Sequence, residues 1–395
     1  MTISGRHFII SSLKVKSTIP TSLSHVSSWT PQNTPANNTW ESIAWDPVLS
    51  MFAAVAYDGD ANTQLIMTST NGTSWSIQTH APISFHGICS GGNGMFVGVG
   101  VNQIFTSING STWTSRTCPS YTFFCAAWST ELSIFVALGA AGGVASSPTG
   151  VVWTSRTIGT FSWRSVVWSP TLSKFVAVGI NRTAYSSNGI DWTDAAQAGS
   201  WEGVTWSPSL SKFVAVASVG TDVITSTDGI NWTVVTNVMP QAMWDVSWSP
   251  ELGLFVATPA QSPWNVAASS DGSTWTAYST GTSNAWTGVA WSPALGIFAA
   301  CGNGSGQKVI TSVALTTNLH YLSVNGGQPA GVAPFGSGNY VSGTIVPVSA
   351  SYGGTGSFTF NHWSDDIGYL QTGSGSNPNT ILMPGVNVVI TPVYT

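Results

Sequence analysis

From Trp40 onward, apolar and polar positions alternate in short runs of a few recurring kinds. In the first kind, Ile43 and Trp45, or Val204 and Trp206, fall on one face, while Ser42 and Ala44, or Gly203 and Thr205, fall on the other. That period of two is a β-strand with a large-residue face and a small-residue face, as a sheet wedged between neighbouring sheets requires. The second kind, as in Phe175-Val176-Ala177-Val178-Gly179, follows a Ser-Pro turn and is apolar throughout, a strand buried on both faces. A third run ends in Asn71-Gly72, Asn109-Gly110, Thr149-Gly150, Asn188-Gly189, Asp228-Gly229 or Asp271-Gly272, the dipeptides of a tight hairpin with positive φ. A fourth run opens with Trp-Thr or Trp-Ser.

These four runs recur as one unit beginning at Trp40, Phe85, Phe123, Trp163, Trp201, Met243 and Trp286, with offsets between 38 and 45 residues. Each unit carries one Phe in its second strand, at Phe52, Phe96, Phe135, Phe175, Phe213, Phe255 and Phe298. Four antiparallel strands repeating at about 40 residues form the blade of a β-propeller. Seven units predict seven blades in an all-β protein. The seventh unit lacks a fourth strand, whereas an orphan Trp29-Thr30 stands upstream of the first. The N-terminal segment is therefore expected to supply the outer strand of the last blade, closing the ring and removing an open sheet edge.

The hairpins Ser69-x-Asn71-Gly72-x-x-Trp75 and Ser226-x-Asp228-Gly229-x-x-Trp232, with their counterparts at Ser107, Ser186 and Ser269, resemble the Asp-box hairpins of sialidase-like propellers. They lack that box's residue between Asp and Gly. The resemblance implies that the Ser and Asp or Asn side chains bond turn amides while the Trp packs between sheets. It also implies that the boxes brace blades away from any active site. Sialidase chemistry would need an arginine cluster and a nucleophile pair. The only arginines are Arg6, Arg116, Arg156, Arg164 and Arg182, with Arg116 and Arg156 at one repeat position, so catalysis is not expected.

After about Thr317 the repeat stops. Leu322-Ser-Val324, Gly343-Thr-Ile345 to Ala350, Phe358-Thr-Phe360 to Trp363, and Asn379 to Ile390 read as strands joined by Gly, Ser and Asn turns. This stretch resembles the internalin B-repeat modules of bacterial surface proteins, which implies a spacer or contact role outside a cell. The expected organisation is an N-terminal arm, 1–23, a propeller, 24–316, and a small β module, 317–395.

Charged residues make up 6% of the chain, with 10 basic against 15 acidic, while 43% is apolar. A folded chain is implied, without the basic footprint of nucleic-acid or anionic-membrane binding. No apolar run is long enough for a membrane span or a signal peptide. Cys89, Cys118, Cys125 and Cys301 form no metal-type pair. Cys89, Cys125 and Cys301 are expected as core filler.

Other candidate chemistry is sparse. Asp58, Asp60 and Asn62 alternate oxygen ligands as a Ca2+ loop does, but the rest of such a loop is missing. A polar turn is expected there, and no cofactor. Glu41, His86, Arg164 and Glu202 share one first-strand slot whose mixed charge reads as solvent-facing, and most of the tryptophans read as blade anchors. Loop length varies on one rim only. The span from the second-strand Phe to the aligned Ser is 17, 11, 12, 11, 13, 14 and 14, and that rim is where His80, Arg116, Tyr121, Trp264 and Tyr278 are expected to bind ligand. The composite reading is a noncatalytic protein displayed on a bacteriophage virion, as capsid decoration or tail adhesin, contacting virion proteins or host surface glycans. In it, the arm bearing Lys14 and Lys16 is a docking segment. The alternative is a bacterial cell-surface or secreted glycan-binding propeller, and an Asp-box glycoside hydrolase ranks below both.

Overall fold

The computed structural model describes residues 23–57, 65–79, 84–261, 264–304 and 307–315, and the backbone of seven strands between His320 and Tyr394. The chain divides into a unit Ser22–Asn318 and a second unit containing Leu319–Thr395. The arm 1–22, His80 and the Asp58–Asn62 turn lie outside the described residues.

The first unit is a seven-bladed β-propeller of seven four-stranded antiparallel sheets. The inner strands are Trp40–Asp46, Phe85–Ser90, Phe123–Ser129, Trp163–Ser169, Trp201–Ser207, Met243–Ser249 and Trp286–Ser292. In the seventh blade, Trp29–Gln32 pairs antiparallel with Val309–Ser312, and Gln32 Nε2 donates to Thr311 Oγ1 at 2.8 Å. The ring is thus closed by the N-terminal strand.

Each blade core is an aromatic stack on the second-strand Phe. The first-strand Trp lies 4.2–4.8 Å from that Phe, centroid to centroid, in Trp45–Phe52, Trp128–Phe135, Trp168–Phe175, Trp206–Phe213, Trp248–Phe255 and Trp291–Phe298. The outer-strand Trp covers the other side, as Trp75 does at 6.2 Å from Phe52. Such pairs add to the burial of these large apolar rings. Each hairpin also wedges onto the preceding blade. A Cβ at Gly72 would lie 2.6 Å from Ile297 Cδ1, and φ there is +75°, so this turn requires glycine both for its backbone and for the close approach.

One feature departs from simple alternation. Every inner strand carries a β-bulge immediately after its first residue, between Trp40 and Ser42, Phe85 and Gly87, and so around the ring. A bulge sets two residues against one and re-aims a side chain. Trp40 is buried, Glu41 and Ser42 are both half-buried, and Ile43 is buried again, so strict period two begins only at the third residue.

The second unit contains a four-stranded sheet in the order Gly338–Tyr340, His320–Val324, Val388–Tyr394, Phe360–Asp365. It also has a three-stranded sheet of Val332–Phe335, Ile345–Tyr352 and Asn379–Leu382. Its central pair is parallel, with Leu322 opposite Val388.

Candidate functional site

The bulge gives each inner strand one side chain aimed at the propeller axis. Glu41, His86, Phe124, Arg164, Glu202, Trp244 and Thr287, one from each blade, ring a cavity of about 390 Å³. Its wall continues through Ser42, Ile43, Ile88, Cys125, Ser165, Val166 and Asp245. Tyr57, just past the second strand of blade 1, stacks on His86 at 4.7 Å, and Asn303, at the equivalent place in blade 7, also lines the cavity. The mouth therefore opens on the rim whose loops vary in length.

The slot read from sequence as solvent-facing is this ring, and it faces the axial cavity. Its mixed charges are complementary between adjacent blades. His86 Nδ1 lies 3.4 Å from Glu41 Oε2, and Arg164 Nε lies 3.6 Å from Glu202 Oε2, with the Glu202 side chain only 11% exposed. Arg164 also lies over the Phe124 ring at 4.7 Å, and His86 meets that ring edge-on at 5.0 Å. Ser218 donates to Glu202 Oε1 at 3.0 Å.

Burial pushes the Glu202 carboxyl above the usual range, although Arg164 and Ser218 pull the other way. Burial raises Asp245 to about 6 against the opposing effect of the Val289 and Val246 amides, which donate to its two oxygens at 3.0 and 2.8 Å. Ser42 and Ser165 likewise accept the Ile88 and Val204 amides of the next blade, each at 3.3 Å. In these three blades an interblade amide is thus satisfied by the polar side chain that follows the bulge. Burial also pushes Cys89 and Cys301 up to about 12 and raises Cys125, which keeps these thiols protonated. Among the described residues, no group of three or more His, Cys, Asp or Glu side chains could hold a metal ion.

The rim residues singled out from sequence lie elsewhere. Arg116 is on the outer strand of blade 2, its Nε donating to Thr106 Oγ1 at 2.7 Å, and Arg156 makes the same contact with Ser146 in blade 3. Tyr121 packs over Gly143, and its hydroxyl is 3.1 Å from Ser155 Oγ on an outer strand. Tyr278 ends the outer strand of blade 6. Trp264 has φ +63° and accepts from Thr280 Oγ1 through its carbonyl. None of these four lines the axial cavity. Trp244 does, while Met243 takes the anchor position in that blade. The hairpin residues sit on the opposite rim. Ser69 Oγ accepts from the Gly72 amide at 2.9 Å, Asn71 Oδ1 from the Thr73 and Ser74 amides, and Trp75 Nε1 donates to the Gly72 carbonyl. Ser226, Asp228 and Gly229 repeat the turn pattern, while Trp232 packs 6.3 Å from Phe213.

Comparison with solved structures identifies propellers. The chain is similar to YCF48 bound to D1 peptide, with TM-score 0.56 and 14% identity over 72% of this chain and 97% of that one. It is similar to streptogramin B lyase, with TM-score 0.59 and 9% identity over 72% and 96%. The β-propeller domain of Cps50 (Swd1) from Myceliophteria thermophila matches with TM-score 0.57 and 11% identity over 72% and 100%. At these identities the likeness shows the fold alone. No protein-family model and no curated protein matches the sequence.

Proposed function

We propose that this protein is a noncatalytic binding protein displayed on a bacteriophage virion, engaging its partner at the axial mouth of the propeller. The observation that carries the binding half of this reading is the ring itself. Seven blades converge two aromatic rings and four ionisable side chains on one concave site, the composition of a recognition pocket. A noncatalytic role is supported by how the carboxylates are held. Glu41 is engaged by His86, Glu202 by Arg164 and Ser218, and Asp245 by two backbone amides, so each already has a partner within the protein.

A protein partner accords with one similar propeller having been solved with a bound peptide. Display accords with the low charge of the chain and with a second β unit after the propeller, which we read as an internalin-type repeat module. The hairpins of the opposite rim, read as shortened Asp boxes, then serve to brace the blades.

The test is mass spectrometry of purified phage particles from the source culture, with immunogold labelling of the same particles. Peptides spanning the chain, with label on capsid or tail, are expected. Finding the protein only on bacterial cells or in the supernatant would overturn the virion assignment and favour the cell-surface alternative.

A further inference from the structure

The two halves of the axial ring differ in a way that specifies a ligand. In blades 1 to 4 the aromatic and cationic groups satisfy one another: Tyr57 stacks on His86, His86 meets Phe124, and Arg164 covers the Phe124 face while pairing with Glu202. Trp244 is the counterpart of Phe124 on the other side. It lines the cavity between Glu202 of blade 5 and Thr287 of blade 7, with Asp245 adjacent in the chain and Glu41 beyond Thr287. Among the described residues, no lysine or arginine of the protein lies over Trp244, whereas three do lie over Phe124, Tyr185 and Phe161.

The polar groups around Trp244 are mostly acceptors. Glu41, Glu202 and Asp245 oppose one guanidinium, Arg164, in the cavity wall, and the Thr287 hydroxyl is already bonded to the Trp40 carbonyl. The Asn303 amide and the Trp244 indole N–H are the donors on this side, fewer than the carboxylate acceptors. A neutral sugar needs donors as well as acceptors around its hydroxyls, whereas an ammonium or guanidinium needs only acceptors and a π face.

We propose that the axial mouth takes a lysine or arginine side chain of a partner protein, its cation over Trp244 and neutralised by the carboxylates on either side. This rests on the mouth being the binding site and names the chemistry it selects. The molecule already contains the same arrangement once, in Arg164 between Phe124 and Glu202.

The test uses the full chain labelled with 5-fluorotryptophan, with the Trp244 resonance assigned by its loss in Trp244→Phe. The titrants are the N-acetyl, N-methylamide derivatives of lysine, arginine and norleucine, with glucosamine and N-acetylglucosamine as further arms. The expected result is a saturable shift of the Trp244 resonance with the lysine or arginine compound, at least tenfold tighter than with norleucine. Glu41→Gln is expected to weaken it several-fold. Equal response to norleucine, or response to either sugar without response to the basic amino acids, overturns the proposal. Particle localisation is read independently, so a protein found on virions whose Trp244 ignores the cation would sink this inference and leave the display reading standing.

Discussion

The Asp245 carboxylate spans two blades: one oxygen accepts the amide of Val246 in its own strand, and the other accepts the amide of Val289 in the next blade at 3.0 Å. Ser42 and Ser165 accept the interblade amide in two other blades, so a buried carboxylate here brings a pH signature that they lack. Its carboxyl, raised by burial to about 6, binds a proton more readily folded than unfolded. Stability from this group is therefore full below about pH 4 and falls as pH rises towards 6, by at most about 3 kcal/mol. Asp245→Asn resembles the protonated acid. Denaturant titrations of both proteins are expected to coincide near pH 4, with the variant becoming relatively more stable above pH 6. A constant difference across that range would contradict the assignment.

Asp228 carries the opposite sign. Burial works against its charge, but the Asn231 and Ile230 amides and the Asn231 and Ser226 side chains outweigh that and hold the carboxyl well below the usual range. Its contribution is present above about pH 4 and lost as pH falls further. Asp228→Ala should cost stability at pH 7 and progressively less in acid, read by thermal unfolding at pH 7 and pH 3.

A repeated contact on the same rim is made in only some blades. Glu131 Oε2 accepts from Trp168 Nε1 of the following blade at 2.6 Å, and Glu251 does the same for Trp291. The aligned residue in blade 4 is Thr171, and the indole N–H it would serve, that of Trp206, is buried without a partner. Thr171→Glu is expected to stabilise the protein by about 1 kcal/mol, and Glu251→Ala to destabilise it by about 1 to 3 kcal/mol. Denaturant midpoints check both.

Close packing around the axis sets a ranking. An added Cβ would fall 2.4 Å from the Phe124 carbonyl at Gly87, 2.8 Å from Asp245 Cα at Gly203, and 3.1 Å from Ser42 Cα at Gly288. Alanine substitutions should destabilise in that order, from about 3 kcal/mol downwards. A flat or reversed order in equilibrium unfolding would mean that the strands separate easily.

Blade number, strand register and ring closure were legible because they are carried by residues repeated in sequence: seven second-strand Phe residues, the Gly turns and the orphan Trp29-Thr30. The axial site was not. Glu41, His86, Arg164 and Glu202 are distant in sequence, and their complementarity exists only between neighbours in a closed circle. The bulge that aims them inward is a backbone irregularity that period-two alternation does not encode. One signal was available, since opposite charges occupy a single slot in consecutive units, Arg164 then Glu202. Trp244 was masked by Met243 at the anchor. Arg116 was read by rim position alone, whereas as an outer-strand residue it bonds across to Thr106.

The partner is expected to sit at the axial mouth. Placing the photoreactive residue p-benzoylphenylalanine at Trp244, or at the exposed Val152 on the opposite rim, and irradiating the protein on purified particles or host envelopes tests this directly. The expected result is a defined cross-linked partner from position 244 and none from 152. Cross-linking from 152 alone would contradict it and place the binding face on the hairpin rim.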